Sequence, residues 1–179
     1  MPLIKNGRVI ADRYVNVLDD AALPEGVPVL VPAARFLADA AEILQRDAPV
    51  GVIWPNSRKV ADLAPYLERL AVVALVFPTF KDGRAYSQAR LLRERYGFHG
   101  ELRATGQILR DQFLFLVRAG FDVLDVAKAS DVDAFAAALK RYTVFYQTAP
   151  QGHAAAARLR AAQSPVSVAS SAAEICDLI

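Results

Sequence analysis

Short strand-like runs alternate along the chain with longer segments in which apolar residues recur every three or four positions. The strand-like runs start 21–29 residues apart, and they are PVLV (28–31), VGVIW (50–54), VVALVF (72–77), ELRAT (101–105), DVLDV (122–126) and TVFYQ (143–147). Runs of strand length that alternate with helical periodicity are typical of βαβ units and of a parallel sheet.

The helical periodicity covers 34–45, 57–70, 85–96, 107–119 and 131–141. Ser57 is a natural N-cap for the second of these helices, because its hydroxyl can accept a hydrogen bond from a free backbone N–H. Pro65 lies inside the same pattern and predicts a kink or a break. Ser130 and Asp133 resemble a capping box at the start of the last helix.

The N-terminal residues LIKNGRVI (3–10) predict a β-hairpin. Asn6-Gly7 is a favoured two-residue hairpin turn, since both central positions need positive φ. Residues 11–26 then predict an irregular connection. We interpret residues 1–147 as a single α/β domain, and 148–179 as an Ala/Ser-rich C-terminal tail with room for one helix.

Two architectures fit this order of elements. The favoured one is a mostly parallel sheet of about five to six strands, flanked by helices on both faces, and the alternative is a shortened, barrel-like βα arrangement. The apolar runs 50–54 and 72–77 indicate central strands that are buried on both faces. ELRAT (101–105) instead alternates charged and apolar residues, which indicates an edge strand or a strand whose charged face lines a polar cavity.

Composition excludes several classes of protein. Hydrophobic residues make up 54% and charged residues 22% of the chain, which is enough apolar material for a large core. The net charge of +2 argues against a nucleic-acid-binding protein. One cysteine excludes an intrachain disulfide, and two histidines are too few for a convincing metal site. We expect a soluble, cytoplasmic protein without a membrane partner, because no apolar run approaches 18 residues.

Positive charge concentrates in FPTFKDGRAYSQARLLRERYGFHGELRATGQILRDQ (77–112), which holds seven Lys and Arg against four acidic residues. Asp82-Gly83 predicts a turn after the strand VVALVF, and Arg84 follows at the start of a helix. A cation there opposes the helix dipole, so a ligand or a carboxylate explains its position better than helix stability does. Tyr86 and Ser87 add hydroxyl groups to this turn.

A second βα unit repeats the arrangement. Arg103 lies on the strand ELRAT, and Gln107, Arg110 and Asp111 follow that strand. If the two strands are neighbours, these side chains and Asp82 converge beyond the carboxyl ends of the sheet, where α/β proteins bind ligands. Arginine forks suit phosphate, sulfate, sulfite or carboxylate.

Purely structural roles compete with this hypothesis. Asp82 can cap the helix and pair with Arg84. Arg103 can form a buried ion pair with Glu101 or Asp111. The chain also lacks the G-x-G-x-x-G, G-x-x-x-x-G-K-[ST] and G-x-S-x-G motifs, which makes an enzyme with its own dinucleotide cofactor less probable and leaves any cofactor unknown.

The stretch 77–112, continued by LVRAGFD, resembles a bacterial family, the domain of unknown function 934, whose members are often described as oxidoreductases of sulfite reduction. The resemblance spans roughly residues 1–147. It places family positions at Asp82, Gly83, Arg84, Tyr86, Ser87, Arg90, Arg93, Gly100, Glu101, Arg103, Gly106, Asp111 and Gln112. Many relatives have a cysteine where this chain has Ala119, so the resemblance does not carry a cysteine-based redox mechanism to this protein.

The resemblance implies an accessory protein of sulfite or sulfate assimilation with an arginine-rich surface. That surface would bind a small anion (sulfite, sulfate or phosphate), or would dock on sulfite reductase. In the first case Arg84, Arg103 and Arg110 would hold the anion. The alternative is an oxidoreductase or lyase that acts on a small anion in the same cleft. Asp82 or Asp111 would then be the acid/base, with a borrowed flavin or nicotinamide as an optional cofactor. A third hypothesis is that this chain is a purely structural partner of another protein, with the basic stretch as the interface. A homo-oligomer is also compatible with the sequence.

Overall fold

The computed structural model describes residues 2–128 and 131–141. Its strands are β1 (Leu3–Lys5), β2 (Arg8–Ile10), β3 (Val15–Asn16), β4 (Val29–Pro32), β5 (Val50–Pro55), β6 (Val72–Phe77), β7 (Glu101–Gly106) and β8 (Val123–Asp125). The α-helices are α1 (Ala33–Ile43), α2 (Arg84–Arg90), α3 (Phe113–Ala119) and α4 (Asp131–Arg141). The predicted strand at 143–147, the tail 148–179 and Ser130 of the predicted capping box lie outside the described residues.

Three shorter helical segments complete the connections. They are a 3-10 helix at Val60–Arg69, a π-helical continuation of α2 at Leu91–Arg95 and a 3-10 turn at Arg110–Gln112. Ser57 is not the N-cap, because the first 3-10 helix begins after Lys59. Pro65 lies inside that helix and has no N–H to donate, so an uninterrupted α-helical ladder cannot form there.

The predicted N-terminal hairpin is confirmed. β1 and β2 pair antiparallel, with φ of 51° at Asn6 and 76° at Gly7. The hairpin also joins the main sheet, because β1 pairs antiparallel with β8. This second pairing adds two strands that the pattern of apolar runs did not assign to the sheet.

The strands form one sheet with the order β2-β1-β8-β7-β6-β5-β4-β3. From β3 to β8, neighbours in the sheet are also neighbours in sequence, and each of these pairs is parallel. Right-handed crossovers between sequential strands put their helices on the same face of the sheet. The predicted α/β class is confirmed, whereas the predicted open sheet of five to six mostly parallel strands with helices on both faces is wrong, because the described residues form an eight-stranded sheet.

The length of one connection shows why the sheet curls. β2 and β3 are its two edges, yet only residues 11–14 join them. In a flat sheet, seven strand spacings would separate the edges by about 34 Å. The five peptide steps from Ile10 to Val15 reach at most about 18 Å. The sheet is accordingly a curled half-barrel, and the barrel-like alternative is partly confirmed.

The two faces of this half-barrel differ in their packing. Alternate strand residues, such as Trp54 and Leu75, form the main core with apolar residues of the helices. The residues between them point to the inner, concave face, where Leu30, Val72 and Ala74 pack with Tyr14. We call residues 11–14 the strap, because they run from one edge of the sheet to the other across this inner face.

Candidate functional site

The turn after β6 is built around an ion pair between Asp82 and Arg84. Arg84 Nη2 lies 2.6 Å from Asp82 Oδ2, and Nε lies 3.0 Å from Oδ1, so the guanidinium binds the carboxylate in a fork. Hydrogen bonds from Arg84, with a smaller contribution from the Asn56 side chain, hold the pKa of Asp82 far below its usual range. A carboxylate that stays ionised in this way carries a proton poorly at neutral pH, which does not favour an acid/base role for Asp82.

Two buried amides, Asn56 and Gln88, stand beside this ion pair and were missed by the sequence analysis. Asn56 directly follows β5 and is 8% exposed, whereas Gln88 lies one turn after Arg84 on α2 and is 7% exposed. Gln88 Nε2 donates to the backbone oxygens of Pro55 (3.4 Å) and Arg58 (2.8 Å). The only sequence signal for Gln88 is its i+4 spacing from Arg84, which puts both side chains on one face of α2.

Tyr86 and Asp111 come close to each other at the same end of the sheet. The Tyr86 ring packs edge-on against Phe77, with 5.2 Å between ring centroids. Burial, with a smaller contribution from the negative charge of Asp111, raises the pKa of Tyr86 to about 12. The phenol is therefore a neutral hydrogen-bonding group at physiological pH. Ser87 is exposed on α2.

Arg110 and Gln107 follow β7 but have different surroundings. Arg110 Nε lies 2.5 Å from Asp131 Oδ1, so this arginine also has a carboxylate partner. Gln107 is exposed, and its backbone N–H donates to the oxygen of Phe77 at 2.8 Å. That bond ties the loop after β7 to the last residue of β6.

Arg103 lies apart from these residues, in the middle of β7 and on the inner face of the sheet. Its side chain is 5% exposed, and its Nη1 and Nη2 lie 2.9 Å from Asp12 of the strap and 3.1 Å from Glu101. The guanidinium also covers the ring of Tyr14 at 5.6 Å from the centroid. Lys5 completes the cluster by pairing with Glu101 at 3.2 Å. The alternation of charged and apolar residues in ELRAT (101–105) thus reflects a charged inner face of the sheet. The competing prediction, a buried ion pair between Arg103 and Glu101, is confirmed.

The ion pairs on the inner face do not favour an anion there. Lys5 and Arg103 pair with Glu101 and Asp12, and a further carboxyl group, that of Asp125, lies near Arg103. Burial raises the pKa of Asp125, the carboxyl on the neighbouring strand β8. An incoming anion would have to displace Asp12 from Arg103 before it could bind there.

The structure therefore distributes the predicted site residues over three places instead of one. Asp82 and Arg84 pair in the turn after β6, whereas Arg103 pairs with the strap on the inner face. Arg110 pairs with Asp131 at the start of α4. Each of these arginines has a carboxylate partner, so they do not form a common cluster of unpaired positive charge.

Exposed apolar side chains lie between these ion pairs. Phe80, in the loop after β6, and Leu109, in the loop after β7, are each 43% exposed. The amide of Gln112 joins the two loops, because it donates to the Phe80 oxygen (2.9 Å) and accepts from the Leu109 N–H (3.0 Å). Lys81 stands over the Phe80 ring, 5.7 Å from its centroid. We call Phe80, Lys81 and Leu109 the loop surface.

A groove of about 470 Å³ lies close to the loop surface, between α3 and α4. Leu114 and Phe115 form one wall, and Ala137 and Ala138 of α4 form the other. Phe115 is 59% exposed, a large fraction for a phenylalanine. Arg110, Asp111 and Arg141 are the charged residues of the lining.

The described residues, 2–128 and 131–141, include no helix long and apolar enough to cross a membrane. Within these ranges, no three His, Cys, Asp or Glu side chains are arranged to hold a metal ion.

Comparison with known proteins identifies the family. The family model described as "Bacterial protein of unknown function (DUF934)" matches residues 51–157, which is more than half of the chain. The protein therefore belongs to this family, as the resemblance of the stretch 77–112 predicted. No curated protein matches the chain.

Proposed function

We propose that this member of the DUF934 family is an accessory protein of sulfite or sulfate assimilation that works by docking on a protein partner. The partner would be the assimilatory sulfite reductase that the sequence resemblance implies. The observation that carries the proposal is the pair of exposed apolar side chains, Phe80 and Leu109, that Gln112 holds together at the carboxyl end of the sheet.

The loop surface has the composition of a protein-binding site. A large aromatic ring such as that of Phe80 supplies the apolar area that a binding anchor needs, and it fits a pocket on a partner. Lys81 beside the ring adds a positive charge at the rim of the contact, where charges mainly govern the rate and the specificity of association. The matching surface would be an apolar pocket with acidic residues at its edge.

The groove between α3 and α4 extends the area available to the partner. Its apolar walls include the exposed ring of Phe115, and its charged lining residues are Arg110, which pairs with Asp131, together with Asp111 and Arg141. A partner that contacts both the loop surface and this groove would bury two exposed phenylalanines in one interface.

The alternative, an oxidoreductase or lyase that acts on a small anion, draws less support from the same contacts. Arg84 and Arg103 already bind carboxylates of this chain, so an anion would compete with Asp82 or Asp12. The predicted anion site of Arg84, Arg103 and Arg110 meets the same difficulty, because each of these arginines already binds a carboxylate of this chain. A docking function requires none of these ion pairs to open.

The proposal is tested by measuring the binding of purified sulfite reductase to the immobilised full-length chain by biolayer interferometry. Phe80→Ser and Leu109→Ser should each weaken binding at least tenfold, which corresponds to about 1.4 kcal/mol. Leu91→Ser is the matched control, since Leu91 is 42% exposed on the π-helical segment, away from the two loops. Circular dichroism would verify that all three variants fold.

The salt dependence provides a second measurement. If Lys81 contributes to the encounter, raising the ionic strength should slow association more than it speeds dissociation. Equal affinity of the wild type, Phe80→Ser and Leu109→Ser would reject the loop surface as the docking site. No measurable binding of the wild type would reject sulfite reductase as the partner.

A further inference from the structure

The groove between α3 and α4 has two helical walls that run in the same direction. Arg110 pairs with Asp131 where the two helices begin, and the buried rings of Phe113 and Phe135 meet one turn further on, with 5.7 Å between their centroids. The contacts therefore advance together along both helices. Apolar residues of both helices form the walls beside these rings, and they are Leu114, Phe115, Ala134, Ala137 and Ala138.

These walls favour a helical occupant over an extended one. Backbone N–H and C=O groups along α3 and α4 bond mostly within the helices, so an extended segment in the groove would find few backbone partners. A helix satisfies its own backbone groups and needs only side-chain packing. The alanines of the α4 wall allow the backbone of such a helix to approach closely. Phe115, which is 59% exposed, supplies a ring against which an apolar side chain can pack.

The two ends of the groove carry opposite charges. Asp111 lies at the end where the helices begin, whereas Arg141 is the last residue of α4 at the other end, and both residues are exposed. Arg110 adds no net charge, because it pairs with Asp131. From Asp131 to Arg141 the helix rises about 15 Å, so a helix of about three turns spans the groove from one charge to the other.

We infer that this groove binds an amphipathic helix of the docking partner. The apolar face of that helix would pack on Phe115 and the alanine wall, while a basic side chain at one end meets Asp111 and an acidic side chain at the other meets Arg141. The inference rests on the proposed function, because the helix would belong to the protein that docks on the loop surface. It adds the kind of structure that the partner must present, which the loop surface alone does not determine.

The test uses synthetic helices as probes, so that it does not require sulfite reductase. Three hydrocarbon-stapled, fluorescein-labelled peptides of about three turns carry leucines at the spacing of one helix face. They differ only in the charged residues at their ends, which are one basic and one acidic, two basic, or two acidic. Fluorescence anisotropy would measure their binding to the full-length chain. The mixed-charge peptide should bind about threefold more tightly than either of the others, since exposed ion pairs contribute modestly.

Variants of the groove locate the binding. Phe115→Ser and Ala137→Phe should each weaken binding of the mixed-charge peptide about tenfold, the first by removing the aromatic anchor and the second by filling the groove. Asp111→Lys makes both ends of the groove positive, so the peptide with two acidic residues should become the tightest ligand. Leu91→Ser, on the π-helical segment, is the matched control and should leave binding unchanged. Circular dichroism would verify that each variant folds.

Competition connects the peptides to docking. Saturating mixed-charge peptide should weaken the binding of sulfite reductase to the wild type about tenfold, because the peptide and the partner's helix need the same groove. Undiminished reductase binding would overturn the inference and leave docking to the loop surface. No peptide binding by the wild type, unchanged peptide binding in Phe115→Ser and Ala137→Phe, or an unchanged charge preference in Asp111→Lys would also overturn it. Peptide binding without reductase binding would support the helix groove and reject only the reductase as the partner.

Discussion

Replacing Arg103 with Met should destabilise the protein substantially, because the strap and the sheet meet at this side chain. Met has a similar length and an apolar stem, but it lacks the guanidinium that binds Asp12 and Glu101. The variant would leave the Asp12 carboxylate without its partner on the sheet, while Glu101 would keep Lys5.

The magnitude follows from burial. Removing one partner of a fully buried ion pair costs about 3–5 kcal/mol. The Asp12 and Glu101 side chains are 34% and 18% exposed, so solvent would stabilise the stranded charges and the lower end of that range applies. The lost cation–π contact with Tyr14 adds about 1 kcal/mol. We therefore expect a loss of about 3–4 kcal/mol, or a fall in Tm of about 6–16 °C.

The assay is urea unfolding followed by the fluorescence of Trp54, together with calorimetry. Arg90→Met is the matched control, because it breaks an i,i+4 pair with Glu94 in which both side chains are about half exposed, and should cost at most about 0.5 kcal/mol. A double-mutant cycle with Asp12→Ala would isolate the coupling between the strap and Arg103. A loss below about 1 kcal/mol for Arg103→Met would refute the view that the ion pairs hold the strap across the sheet.

Two further predictions concern Tyr86 and the loop after β7. In an alkaline absorbance titration Tyr86 should ionise with a pKa of about 12, above the ordinary 10.0, and this step should vanish in Tyr86→Phe. Because the unfolded chain loses this proton first, the stability due to Tyr86 is complete below pH 10 and falls as the pH rises to 12. A titration step at 10.0 would contradict the argument that burial raises this pKa. Gly106→Ala should lower the free energy of unfolding in urea by at least about 3 kcal/mol, since φ is +96° and a Cβ would come within 2.3 Å of the Phe77 oxygen. The control Gly26→Ala, at φ +69° with nothing within 4 Å of the added Cβ, should lower it by about 1 kcal/mol. Equal losses would show that backbone crowding at Gly106 is unimportant.

Much of the local structure was predictable because it depends on neighbouring residues. Asn6-Gly7 predicts its hairpin through the φ values that the turn requires, and the apolar runs predict the buried strands β4, β5 and β6. The strand order and the curl depend instead on contacts between distant residues. The strap between β2 and β3 reads in the sequence as an irregular connection, and only its position between two sheet edges shows how strongly the sheet must bend.

Arg93 illustrates why the charges were harder to interpret. Its spacing along a helix predicts a solvated surface residue, yet its side chain is 14% exposed. The guanidinium pairs with Asp122 and donates to the backbone oxygens of Phe98, Gly100 and Gly120, so it joins the π-helical segment to two turns. A helical pattern cannot reveal carboxylate and carbonyl partners that come from later elements of the chain.

The same reasoning changes the meaning of the basic stretch 77–112. Counted along the sequence, its arginines suggest an excess of positive charge that attracts an anion. In the fold, Arg103 takes a partner 91 residues away, at Asp12, and Arg110 takes Asp131. Carboxylates of the same chain neutralise most of these positive charges, so recognition at this end of the sheet depends on side chains that the fold leaves exposed. Those groups are the apolar side chains of the loop surface, which suit a protein partner.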